Sequence, residues 1–168
     1  MSILDYIRVI PDYPKPGIDF YDLNSLFSSP AWNYYIEQLA NECERKHCHL
    51  TNIAGLESRG FVVGAALSHA MSLPFAMIRK KGAKYPGNLI EEPYELEYGS
   101  NTLVLQEGVF GHTSRVLLAD DLIATGGSIQ AAKNLVEKTG AKVVGYITLL
   151  NLTNLNSLEN VIAARNIS

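Results

Sequence analysis

Apolar residues recur along this chain with two periods, helical and strand-like, and their alternation predicts an α/β sheet of mainly parallel strands. Ile3, Ile7 and Ile10 predict a short amphipathic helix ending before Pro11. Ser29 reads as an N-cap, with Pro30 at the first helical position. The helix they open carries Trp32, Tyr35, Ile36, Leu39, Ala40 and Cys43 on one stripe, which reads as core. Thr51 to Ala54 predicts a buried strand, Gly55 to Gly60 a loop, Phe61 to Met71 a helix rich in small residues, and Phe75 to Ile78 the start of another strand. From Lys80 to Pro93 the composition shifts to Lys, Gly, Pro and Asn. No period there would bury a face, so an exposed, mobile loop is expected. Tyr94 to Tyr98 and Thr102 to Leu105 alternate around Gly99, Ser100 and Asn101, a hairpin pattern. Ile129 to Thr139 predicts a helix stopped by Gly140, and Val143 to Leu150 a buried strand.

Val116 to Ile129 carries the most chemistry. Apolar Val116 to Ala119 reads as a strand buried on both faces, the adjacent carboxylates Asp120 and Asp121 follow it, and Ser128 reads as the N-cap of the next helix. Backbone N–H groups at a helix N-terminus lack helical partners. Without bulky side chains on Gly126 and Gly127, those of Ala124, Thr125, Gly126, Gly127 and Ser128 can converge on phosphate oxygens. Like charges repel, so the two acids suit hydroxyls or a hydrated cation one sugar-length away. A phosphorylated sugar is the expected ligand. The blander alternative is a surface Asp-Asp pair before a Gly-Gly turn, less favoured because strand, acids, turn and cap occur together. Gly127 rather than Lys precedes Ser128, which excludes a Walker loop, and no dinucleotide fingerprint follows a predicted strand.

Composition narrows the classes. With 168 residues, 47% of them hydrophobic, the chain suits one domain spanning 1–168. A net charge of −3 argues against a nucleic-acid partner, although Arg79, Lys80, Lys81 and Lys84 cluster. No apolar run would span a bilayer, and Asp5 and Arg8 stand where a signal core would lie, so neither a membrane partner nor export is expected and a cytoplasmic protein is. Cys43 and Cys48 beside His47 and His49 invite a metal reading. Their spacing is unusual for zinc, and reduced thiols near a helix end are favoured.

The acids-and-turn segment resembles the phosphoribosyl-diphosphate (PRPP) motif of type I phosphoribosyltransferases. A second loop, Gly55-Leu56-Glu57-Ser58-Arg59-Gly60-Phe61, also joins a predicted strand to a helix. In a parallel sheet both loops share one edge, so a diphosphate site can face the monophosphate site; the alternative is that Arg59 merely pairs with Glu57 or another acid. Together with Pro14 to Ile18, Phe20, Asp22, Lys84-Tyr85-Pro86-Gly87 and Tyr94-Glu95-Leu96-Glu97-Tyr98-Gly99, the chain is similar to the adenine phosphoribosyltransferases from about residue 10 to about 155. The resemblance implies a mainly parallel sheet flanked by helices, a small hood of about residues 1–28 with the C-terminal tail, and a flexible hairpin lid of about 80–106.

For chemistry it implies purine salvage: adenine attacks PRPP, releasing diphosphate and AMP. Asp120 and Asp121 would hold the ribose hydroxyls, with Asp121 and Glu97 catalytic and Glu97 assisting proton transfer. The 124–128 turn would take the 5-phosphate, Ser58, Arg59, Arg79, Lys80 and Lys84 the diphosphate, and Tyr98 would help close the lid. Phe20 and Leu152 would sandwich the base, its edge read by backbone near Phe20 and Tyr21. Mg2+ would be held mainly by PRPP or diphosphate, reaching Asp120 or Asp121 through water, and a homodimer is implied. Several residues depart from the pattern: Asp19, Tyr21 where many relatives have Arg, an extra Ala83, Asn151 in place of an acid, and a tail from Asn154 without a Gly-Arg-Glu segment. The alternatives are transfer to hypoxanthine, guanine or xanthine, or a non-catalytic PRPP or purine sensor.

Overall fold

The computed structural model describes residues 2–47, 49–96 and 99–168. Strands β1 (Arg8–Ile10) and β2 (Phe20–Asp22) pair antiparallel, followed by α1 (Asn24–Phe27) and α2 (Ala31–Lys46). After them come β3 (Asn52–Leu56), α3 (Arg59–Met71), β4 (Phe75–Lys80), β5 (Leu89–Leu96), β6 (Gly99–Gln106), β7 (Arg115–Ile123), α4 (Gly127–Glu137), β8 (Lys142–Leu152) and β9 (Val161–Ile167). β3 to β9 form a seven-stranded sheet in the order β5-β6-β4-β3-β7-β8-β9. Its β4-β3-β7-β8-β9 portion is parallel and the β5-β6 hairpin joins β4 antiparallel.

Helices cover both faces, and β7 shows why its sequence is apolar without alternation. Leu117 and Ala119 point into a core with Leu39 and Cys43 of α2 and Val63 and Leu67 of α3; Val116 and Leu118 point into a second core with Ile129, Ala132 and Leu135 of α4 and Leu103 and Leu105 of β6. The expected stripe of α2 is core: Tyr35, Ile36, Leu39, Ala40 and Cys43 are buried, with Trp32 packed at the margin. Burial pushes the Cys43 thiol up to about 12, so it stays protonated and unreactive. Cys48 lies outside the described residues.

Several expectations change. The N-terminal helix is a single 3-10 turn, Ile3–Tyr6, with Ser2 and Asp5 in a reciprocal cap. Ile10, expected on that helix, ends β1 instead, where Arg8 pairs with Asp22 of β2. Pro30, not Ser29, caps α2. The loop expected over 80–93 stops at Asn88 because β5 begins at Leu89, and Pro93 is tolerated there on an edge strand. Lys81 pairs with Glu91, and Lys138, just past the end of α4, with Glu92, pinning β5 to its neighbours. Gly99, Ser100 and Asn101 lie inside β6, opposite Leu96, Glu95 and Tyr94, rather than forming the turn. Leu103, Val104 and Leu105 of β6 are buried, which anchors the last part of the expected lid span in the core. The short tail also supplies β9 at the sheet edge, a strand for which its composition gave no signal.

Candidate active site

Parallel pairing of β3 with β7, with Gly55 opposite Ala119, brings the ends of both strands to one edge. There α3 begins directly over the two acids. A Cβ on Gly60 would lie 2.9 Å from both Ala119 O and Asp120 Oδ1, so only glycine permits this approach. Asp120 and Asp121 are the sixth and seventh residues of β7, inside the strand rather than beyond it. Asp120 Oδ1 accepts from the Asp121 N–H at 2.9 Å. Burial and the neighbouring Asp121 carboxylate hold the Asp120 carboxyl well above its ordinary range.

That shift has a stability consequence. A carboxyl raised in the fold favours folding fully below its unfolded value of about 3.8, and this contribution is lost as pH rises through the folded value. Asp120→Asn, whose amide oxygen can still accept from Asp121, should therefore melt higher than the unaltered protein at pH 8 and no higher at pH 4. Thermal unfolding at the two pH values checks this; equal differences would contradict it.

Beyond the acids, the turn opens α4 differently from the expected cap. Gly126, at φ +84°, holds the N-cap position, and Ser128 is the second residue of the helix. No side chain caps this end, so its first N–H groups remain available to an anion. A cavity of about 120 Å³ lies here, lined by Asp120, Ala124, Thr125, Gly126, Gly127 and Ser128 among others.

The Arg59 guanidinium links three of the expected subsites. Its Nε lies 2.8 Å from Asp121 Oδ2, and its carbon sits 5.4 Å above the Phe20 ring. The pairing acid is therefore Asp121, not Glu57. Glu57 instead accepts from the Lys80 N–H at 2.9 Å and from Arg79 Nε at 3.4 Å. Arg79 also donates to Lys84 O at 3.2 Å and lies 5.7 Å from the Tyr85 ring centre. Arg79, Lys80 and Lys84 thus gather beside the Ser58-Arg59 loop, Lys84 through its carbonyl and with its side chain exposed. The extra Ala83 is absorbed in a tight turn, its N–H reaching Lys80 O at 3.2 Å past Gly82 at φ +97°.

At the expected base slot, Phe20 meets Tyr13 edge-on at 5.1 Å. Tyr21 packs against the α2-side core. Leu152 ends β8, half-buried, and its carbonyl accepts from Asn156. Glu97 and Tyr98 lie outside the described residues. Glu57, Gly60 and Asn156 are the structural participants that sequence reasoning did not assign. Glu57 could have been found as the remaining charge in the Arg59 loop, whereas Asn156 carries no local signal.

Comparison with known proteins bears on the chain as a whole. Residues 23–160 match the phosphoribosyl transferase domain. The adenine phosphoribosyltransferase of Rhodospirillum rubrum is 43% identical over 160 residues, covering 95% of this chain and 92% of the relative. That of Francisella tularensis is 42% identical over 170 residues, covering 98% and 96%. Among solved structures, the adenine phosphoribosyltransferase of Thermoanaerobacter pseudethanolicus superposes with a TM-score of 0.91 at 38% identity over 98% of each chain. The Saccharomyces cerevisiae enzyme, complexed with an imino-altritol 1,6-bisphosphate and adenine, gives 0.89 at 32% identity over 97% and 96%.

Proposed function

The chain belongs to the adenine phosphoribosyltransferases, and from that membership we propose that it performs purine salvage at the β3–β7 edge, transferring the 5-phosphoribosyl group of PRPP to adenine. The observation that carries the site is Arg59, which bridges Asp121 and Phe20 between the phosphate turn and the cationic loop. Donor and acceptor subsites therefore share one crevice. The relative crystallised with a bisphosphate and adenine supports such co-occupancy.

In the proposed reaction an imidazole nitrogen of adenine attacks the anomeric carbon of PRPP. The carbon–oxygen bond to diphosphate breaks, its electron pair leaves with the diphosphate, and AMP forms. Positive charge grows on the sugar; the Asp121 carboxylate, and Asp120 in its ionised form, are suitably signed to stabilise it while binding its hydroxyls. Negative charge grows on the leaving group, which Ser58, Arg59, Arg79, Lys80 and Lys84 would receive. Arg59 has five N–H donors, so its pairing with Asp121 leaves others for a diphosphate oxygen. The turn from Ala124 to Ser128 would hold the 5-phosphate, and Phe20, Tyr21 and Leu152 the base. Glu97 is the proposed acceptor of the proton adenine loses, and Tyr98 is proposed to help close the site.

Among the described residues no cluster of three or more His, Cys, Asp or Glu could hold a metal by itself. The hard oxygens of Asp120 and Asp121 suit an Mg2+ that arrives on PRPP and keeps its water. Such an ion would neutralise charge on the departing diphosphate. Removing it with EDTA should lower AMP formation at least about a hundredfold, with recovery on adding Mg2+; undiminished turnover in EDTA would reject the metal.

A homodimer in the cytoplasm is the proposed working form. A solution mass of twice 18.5 kDa is expected, and a monomer's mass would contradict it. Among the described residues no helix is long and apolar enough to cross a membrane.

A further inference from the structure

The turn that forms the phosphate cavity is held from behind by the segment joining β8 to β9. Asn156 Nδ2 lies 2.8 Å from Ala124 O, 3.0 Å from Leu152 O and 3.0 Å from Asn151 Oδ1. Its neighbours settle which way the amide points: two backbone carbonyls need a donor, and the Leu158 N–H needs the acceptor Oδ1 at 3.2 Å. Asn151, buried at 5% exposure in β8, donates in turn to Asn166 Oδ1 of β9 at 3.0 Å. Three side-chain amides thus tie the turn to the last two strands. Leu158 adds an apolar contact, since a Cβ on Gly126 would lie 2.8 Å from its Cδ1.

The Ala124–Thr125 peptide is planar and trans, so its C=O and N–H point in opposite directions. Asn156, which is not among the residues lining the cavity, takes the Ala124 carbonyl. The Thr125 N–H is thereby directed the other way, and both Ala124 and Thr125 line the cavity. We infer that Asn156 is a positioning residue for phosphate binding, fixing the Ala124–Thr125 peptide so that the Thr125 N–H is presented to the 5-phosphate. It acts through the backbone rather than on the substrate. Without it this peptide can rotate, and binding must first restore its orientation. The inference rests on the assignment of this cavity to the 5-phosphate.

The test compares the unaltered protein with Asn156→Ala and with Asn156→Asp, which keeps the shape but at neutral pH has no donor and repels Ala124 O. Ribose 5-phosphate is titrated while the backbone amide resonances of Thr125 to Ser128 are followed, and steady-state kinetics are measured in parallel. In the unaltered protein those resonances should shift. Both variants should bind ribose 5-phosphate about tenfold more weakly and show a KM for PRPP raised about tenfold, Asn156→Asp the more affected. Their kcat should stay within about threefold and the KM for adenine should not change. If the resonances of the unaltered protein do not move, the phosphate assignment fails and the inference with it. If they move but both variants bind like the unaltered protein, or kcat falls while KM for PRPP holds, the inference alone is overturned.

Discussion

Arg59→Ala should lower kcat/KM for PRPP by about 30- to 1000-fold, the loss for one preorganised donor of roughly 2–4 kcal/mol aimed at developing charge. The residue opens α3 at the carboxyl edge of the sheet, beside Asp121 and over Phe20. Truncation removes a cation from the diphosphate side and uncovers the Phe20 ring. It also leaves Asp121, with its side chain 7% exposed, without its ion pair and beside a second carboxyl. Some loss of thermal stability should follow, moderated because the Arg59 side chain is 43% exposed and its pair partly screened. Arg59→Lys should recover little, since a point charge cannot reproduce the planar fork over the aromatic ring. Steady-state kinetics decide the matter, and an unchanged kcat/KM would remove Arg59 from the machinery.

Gly126→Ala is expected to raise KM for PRPP by about 10- to 100-fold. Two effects coincide at this position. The φ of +84° is one that a residue with a Cβ rarely adopts, at a cost of about 1–2 kcal/mol. The added methyl would also meet Leu158 Cδ1 at 2.8 Å, so that side chain must withdraw from the turn. Both displace the N–H groups that line the cavity. Combining the change with Leu158→Ala relieves the second effect and not the first, so the double variant should recover part of the loss. A KM unaltered by Gly126→Ala would separate this turn from PRPP binding.

How much of this was legible in the sequence depended on how far apart the cooperating residues lie. Val116 to Ser128 could be read whole because strand, acids and turn are contiguous, and the twin cores explain the unbroken apolar run of β7. The cap of α4 was misplaced by two residues because Ser128 is a good capping type, while Gly126 achieves the turn through a backbone angle that composition does not display. The first five residues of β5 look like loop in the sequence because an edge strand carrying Glu91, Glu92 and Pro93 has no apolar period; its partners are Lys81, Lys138 and β6. Arg59 and Asp121 are 62 positions apart, and Asn156 and Ala124 are 32 apart, so only the fold could pair them. Glu57, the acid nearest Arg59 in sequence, is taken by Arg79 and the Lys80 N–H.

Base choice tests the central claim most directly, because the sequence resemblance expects other residue types at Asp19, Tyr21 and Asn151. Incubating the protein with PRPP and Mg2+ and an equimolar mixture of adenine, hypoxanthine, guanine and xanthine, then separating the nucleotides, reports the preference in one experiment. AMP is the expected dominant product. An oxopurine nucleotide formed in the absence of AMP would contradict it.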